Sequence, residues 1–206
     1  EPLGMSQEDP TIVVTPRENK MFLGGAGIVA SHAVGLGADV EFISTIGHDE
    51  TGLFTKNTLK DYGVKNKLFL DESRPTTLKQ RFRCKEKTML RVSHLNQAAI
   101  STKLQGKIFN FLDERMKKYD LLVFSDFNYG CLPQELVDKI VKSAIKNNVF
   151  LAADSQSSSQ IGDISRFKNM DLITPTEREA RISARDTNSG LVVLCDELCN
   201  NSFAKN

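Results

Sequence analysis

The chain has 206 residues, with 27 Lys and Arg against 26 Asp and Glu for a formal net charge of +1. That balance argues against a protein that holds nucleic acid by broad electrostatic attraction, and no apolar run reaches membrane length or forms a signal-peptide pattern. The length allows one sizeable core, and Cys84, Cys131, Cys195 and Cys199 are too few and too scattered for a disulfide framework, which points to a reducing, cytoplasmic setting.

Residues 1–10 read as turn and coil, and an opening Glu1 is expected of a chain without its native start. Thr11-Ile12-Val13-Val14 reads as a short strand that Pro16 ends, because proline has no N–H for a ladder. Gly24, Gly25 and Gly27 then permit a sharp turn and close approach of a ligand to backbone N–H groups at a helix start. Ile28, Val29, Ala33, Val34 and Leu36 recur near helical spacing, with Gly35 and Gly37 at the end of the helix. A strand over 40–46, a turn at Gly47-His48-Asp49-Glu50 and a helix stopping at Tyr62-Gly63 follow.

From residue 67 the pattern becomes extended. Segments 67–70, 76–84 and 88–92 alternate polar with apolar or β-branched residues, with turns at Arg74-Pro75 and Lys85-Glu86-Lys87. This predicts a small antiparallel sheet inserted between parallel units. Lys79, Arg81 and Arg83 share one face by the period of two; they form either a solvated face or a cationic one over a phosphorylated substrate.

Residues 101–119 predict an amphipathic helix, and Leu121-Leu122-Val123-Phe124 a strand buried on both faces of a parallel sheet. Pro133 opens a helix to Asn147, further strands fall at 149–153 and 171–174, and Asn188 or Ser189 caps a last helix. Cys195 and Cys199 lie one turn apart on that helix, where buried thiols are expected rather than half a metal site. Asp126, Asp154 and Glu179 then stand at successive strand ends. Open α/β sheets bind ligands at such ends, and acids there can hold Mg²⁺, directly or through water.

Three readings compete at the glycine turn. Gly25-x-Gly27-x-x-Ala30 meets the dinucleotide fingerprint formally, without the buried strand before it or the acid after it that the motif needs. Glycines that only let a helix pack on a sheet are the second reading. The third rests on GGAGIVASHAVGLGADVEFISTIGHDETG, Arg74-Pro75-Thr76-Thr77, Lys79, Arg81, Met89-Leu90-Arg91-Val92, Ser125-Asp126-Phe127, Gly130, Asp154 and Thr174-Pro175 with Glu179. In this order and spacing the series resembles the PfkB or ribokinase family of carbohydrate kinases, nearest its heptose-phosphate kinase branch.

The resemblance implies an α/β fold, a three-layer ribokinase-like parallel-sheet core, here incomplete, with a small antiparallel β lid. Residues 1–23 and 64–94 would be lid segments, and 24–63 and 95–206 the core. It implies a sugar or sugar phosphate held by Gly24, Gly25, Lys79, Arg81 and Asp126. ATP as co-substrate would meet Asp154, Thr176 and Glu179, with Mg²⁺ near Glu179 and a homodimer through the lid.

The chain departs from the family pattern at several points. Ile28 stands for a sugar-contacting Asn, Tyr129 for a Lys, Thr176 for the Asn of Asn-x-x-Glu, and Asp154-Ser155-Gln156-Ser157 for Asp-Pro-Lys-Gly. The 155–160 run would supply replacement hydroxyl and amide donors or only a flexible loop. A first core strand and the Gly-Ala-Gly-Asp loop that carries the family's catalytic Asp are missing, so no residue here takes the base role. The expectation is a parent sugar kinase whose 206-residue piece alone does not turn over. The rival is a non-catalytic sugar- or nucleotide-sensing module.

Overall fold

The computed structural model describes residues 2–6, 8–9, 11–157 and 161–206. Strands β1 (Pro2–Met5) and β2 (Ile12–Val14) form an antiparallel pair. Helix α1 (Gly25–Gly35) leads to β3 (Glu41–Ile46), α2 (Glu50–Asp61) and β4 (Lys65–Leu70), which returns parallel to β3. The hairpin β5 (Leu78–Cys84) and β6 (Lys87–His94) comes next. Helix α3 (Thr102–Asp113), β7 (Leu121–Asp126), α4 (Gln134–Lys146), β8 (Phe150–Ser155), β9 (Leu172–Ile173), α5 (Glu177–Ala184) and α6 (Leu191–Ser202) complete the order. Strands β7, β8 and β9 form one parallel sheet in sequence order.

The local signals explain most ends. Asp49 and Ser101 cap α2 and α3 by accepting from Gly52 N and Leu104 N, which satisfies amide donors left free in a first helical turn. Pro133 precedes α4, and Gly37 at φ +96 follows α1, where L side chains are rarely found. Leu122, Phe124, Leu151, Ala153 and Ile173 pack in one core with Leu104, Ile108, Leu136, Ile140 and Leu194. A smaller core of Leu23, Ala30, Leu59 and Val64 sits between α1, α2 and the β3–β4 pair.

Four expectations need correction. Residues 2–5 are strand, not coil, because β2 supplies a ladder across a bulge at Gly4. Residues 67–70 belong to β4, which pairs parallel with β3 and not with the hairpin; alternation marks which side chains share a face but not which strand is the neighbour. The helix expected over 101–119 ends at Asp113, and a 3-10 turn at Met116–Lys118 turns Met116 into the core. Strand β7 is buried on one face only: Phe124 is covered, whereas Leu121 and Val123 are 51% and 50% exposed. Helices α3 and α4 cover one side, and nothing among the described residues buries the other.

Two smaller differences concern the last helix. Its cap is Gly190, while Asp186 accepts from the amides of Asn188 and Ser189, and Cys195 is exposed, not buried. Among the described residues no helix is long and apolar enough to cross a membrane. Ile140 is 1% exposed at the α4 side of the larger core. Ile140→Ala should cost about 2–5 kcal/mol of unfolding free energy, measured by urea titration at constant m-value.

Candidate functional site

The parallel register of β7 and β8 sets Ser125 beside Asp154 and Asp126 beside Ser155. Side chains two residues apart share a face, so Asp126 points with Phe124 and Ser155 into the covered side while Asp154 points to the other. Asp126 is 4% exposed. Its carboxylate accepts from Arg166 Nη2 at 2.7 Å, Ser155 Oγ at 3.2 Å and the Asn128 amide at 3.0 Å. A carboxylate this buried needs such partners to remain charged.

Glu179 is the third residue of α5 and forms a reciprocal cap with Thr176. The Thr176 amide and hydroxyl donate to Oε2 at 2.9 and 2.7 Å, and the Ser157 amide donates to Oε1 at 2.7 Å. Burial pushes the Glu179 carboxyl up, but these donors hold it below its ordinary value. Asp154 shifts the other way, raised by burial and then by the charges of Glu179 and Asp126. The rim therefore carries negative charge that Arg166 offsets only at Asp126.

A second group meets at the glycine turn. Gly24 precedes α1 without a side-chain cap, and the first turn holds no acid. Gly25 has φ +49, and a Cβ there would lie 2.7 Å from the Phe127 ring, so the aromatic edge rests on bare backbone. Phe127 stacks with Tyr129, their ring centres 6.5 Å apart. From β5, Lys79 Nζ lies 5.6 and 4.9 Å from those two ring centres. Turn, strand end and hairpin thus touch.

The other sequence candidates fall less centrally. Arg81 and Arg83 are exposed on the hairpin, and Arg83 donates to the Glu86 carbonyl. Ile28 is half-buried on α1. Of the 155–160 run, Ser155 and Ser157 bond to Asp126 and Glu179 through side chain and amide, while residues 158–160 lie outside the described residues. Sequence reasoning missed Arg166, whose only signal is a cation flanked by the buried Ile164 and Phe167, and missed Phe127 as a contact of Gly25.

Among the described residues no three acids, histidines or cysteines are arranged to hold a metal ion directly. Glu179 has both oxygens engaged and Asp126 is paired, while Asp154, raised first by burial and then by the charges of Glu179 and Asp126, is the rim carboxyl that a nearby cation would most favour in its charged form. This donor set fits Mg²⁺ in one form, an ion that keeps most of its water and phosphate ligands. A cleft of about 760 Å³ adjoins it, running from Thr176 along α5 past Arg178 and Arg181 to Arg185.

These charges set two expected outcomes. Arg166→Met leaves a buried carboxylate without its cation and should lower stability by about 2–4 kcal/mol by urea titration. Asp154 has a raised carboxyl, so at neutral pH its charge works against the fold, and that penalty disappears below the unfolded value of 3.8. Asp154→Asn should therefore raise Tm at pH 7, and the gap to the unsubstituted protein should close as the pH falls toward 3.8. Stability held by Asp49, Asp71 and Glu179, whose carboxyls are all lowered, is lost in the opposite sense, as the pH falls through their folded values.

The sequence matches the pattern described as pfkB family carbohydrate kinase over residues 3–198. It is 31% identical over 176 residues to the bifunctional protein HldE of Nitratiruptor sp., covering 85% of this chain and 36% of that protein. The same protein of Aliarcobacter butzleri is 30% identical over 197 residues, with 93% and 40% covered. The chain thus spans well under half of these curated relatives. Among solved structures, phosphofructokinase-2 from Escherichia coli in complex with fructose-6-phosphate superposes with TM-score 0.68 at 18% identity, over 98% of this chain and 66% of that one. A carbohydrate kinase from Agrobacterium tumefaciens gives TM-score 0.64 at 19% identity, with 87% and 56% covered. These likenesses carry the ribokinase-like α/β fold, and the match over nearly the whole sequence carries the family: the chain belongs to the pfkB family of carbohydrate kinases.

Proposed function

We propose that the protein transfers the γ-phosphoryl group of ATP to a hydroxyl of a sugar or sugar phosphate. The carrying observation is the meeting of Gly25, Phe127 and Lys79, which brings the glycine turn, the end of β7 and the hairpin into contact. Amides at Gly24 and Gly25 would orient acceptor hydroxyls, and the buried Asp126 would act on them only indirectly, by holding the loop after β7 through the Asn128 amide. Lys79, with Arg81 further along the hairpin, would pair with an anionic group on the acceptor. The resemblance of this sequence to the family's heptose-phosphate kinase branch favours a phosphorylated acceptor. Ile28 and Tyr129 in place of an amide and a cation remove two groups by which the family discriminates its sugar, so the sugar differs from that branch's or is held by other residues.

On the donor side, the α5 N-terminus and the cleft beside it, with Thr176, Arg178 and Arg181, suit a nucleotide polyphosphate. Asp154 and Glu179 would hold Mg²⁺ through its water shell, where the ion neutralises phosphate charge. Phosphoryl transfer depends mainly on such positioning and charge stabilisation. The exposed Leu90 on the hairpin suits a homodimer through that element. The pairing of Asp126 with Arg166 favours one second reading, a non-catalytic sugar- or nucleotide-sensing module of the same fold.

The test is ATP consumption by the protein that carries this chain, across sugars and sugar phosphates, with Glu179→Gln alongside. Sugar-dependent turnover that falls about tenfold or more in the variant is expected, since the rim charge is lost while glutamine can keep the reciprocal cap. Saturable sugar binding without turnover would transfer the assignment to the sensing module.

A further inference from the structure

Arg74 belongs to the Arg-Pro-Thr-Thr segment but touches none of the groups assigned above to sugar or nucleotide. It is 9% exposed, and its guanidinium donates to three separate segments. Nε lies 2.7 Å from Asp71 Oδ2, Nη1 3.1 Å from the Tyr129 carbonyl and Nη2 2.8 Å from the Ala98 carbonyl. Asp71 directly follows β4, where the chain leaves the core for the hairpin. Ala98 lies where it returns, and Tyr129 stands in the loop after Asp126. One planar fork therefore ties both roots of the hairpin to the loop that carries Phe127.

The surroundings leave little room for another arrangement. At Gly130, φ is +73 and a Cβ would fall 2.0 Å from the Ala98 oxygen, while its carbonyl accepts from the Ile100 amide at 3.0 Å. On the entry side, the Thr76 amide donates to Asp49 Oδ2 at 2.7 Å and the Gly47 amide to Thr76 Oγ1 at 2.9 Å. Ser73 donates to Asp71 by both amide and hydroxyl. A buried ion pair is by itself weak evidence for stability. This one is placed where three separate backbone segments, the hairpin's entry, its exit and the 127–130 loop, meet on one side chain.

We propose that Arg74 is a positioning residue that locks the hairpin hinge and the 127–130 loop into one unit, so that Lys79 and Phe127 are presented to the acceptor together. The proposal rests on the sugar-kinase reading for its catalytic consequence, and its structural content stands apart from it. Lysine keeps the charge but cannot serve three acceptors in one plane.

The experiment compares the unsubstituted protein with Arg74→Lys and Arg74→Ala by amide hydrogen exchange and by acceptor kinetics. Exchange over residues 94–100 and 127–131 should rise about tenfold or more in both variants while β8 and α4 keep their protection. Millimolar guanidinium should restore part of that protection in Arg74→Ala. With a turned-over acceptor, KM should rise about tenfold with kcat nearly unchanged. Exchange that rises uniformly across β8 and α4, or in neither hinge segment, overturns the proposal, as does a lower kcat at unchanged KM. If Arg74→Ala does not fold, Arg74→Lys decides by the same exchange criterion. An unsubstituted protein with no turnover on any sugar overturns the kinase reading, and the exchange comparison still decides Arg74.

Discussion

The in-register parallel pairing of β7 with β8 is the constraint on which the site depends. It fixes Asp126 among its hydrogen-bond donors and sends Asp154 to the opposite face, although both carboxylates stand near strand ends. The two thereby acquire different electrostatic lives: one is buried and neutralised by Arg166, and the other is left in the field of its neighbours. A one-residue slip in that register would exchange the faces of every side chain on β8. The hydrophobic alternation of Leu151 and Ala153 into the core makes such a slip costly.

Much of the fold was legible because its signals are local. The glycine after α1 and the proline before α4 each act within one turn of chain. Partner choice was not. Strand β4 carries the alternation of a hairpin strand, yet it joins β3 across α2, and nothing in Lys67 to Leu70 states which edge it will find. Likewise the apolar run at Leu121 implies two covered faces, whereas coverage depends on what other elements reach.

The site divides along the same line. Asp126, Asp154, Thr176 and Glu179 could be placed from their positions at or just beyond strand ends, since a strand end is a place in the sequence as well as in space. The partners that set their charge could not. Arg166 reaches Asp126 across forty positions, and Ser157 offers Glu179 an amide, a group that every non-proline residue carries. Phe127 stands in the sequence motif, but its packing on Gly25 is a contact that two distant segments make together.

The uncovered face of the β7–β8–β9 sheet bears on how this protein is handled. Leu121, Val123, Phe150 and Leu172 line its open side, next to a well-packed interior on the other. Dyes that brighten on apolar surface, such as ANS, report loose packing only when the native state hides its apolar surface. Here a bright signal would accompany the native sheet itself. Loss of fold is better followed by near-ultraviolet dichroism of the tyrosines and phenylalanines or by exchange in β8.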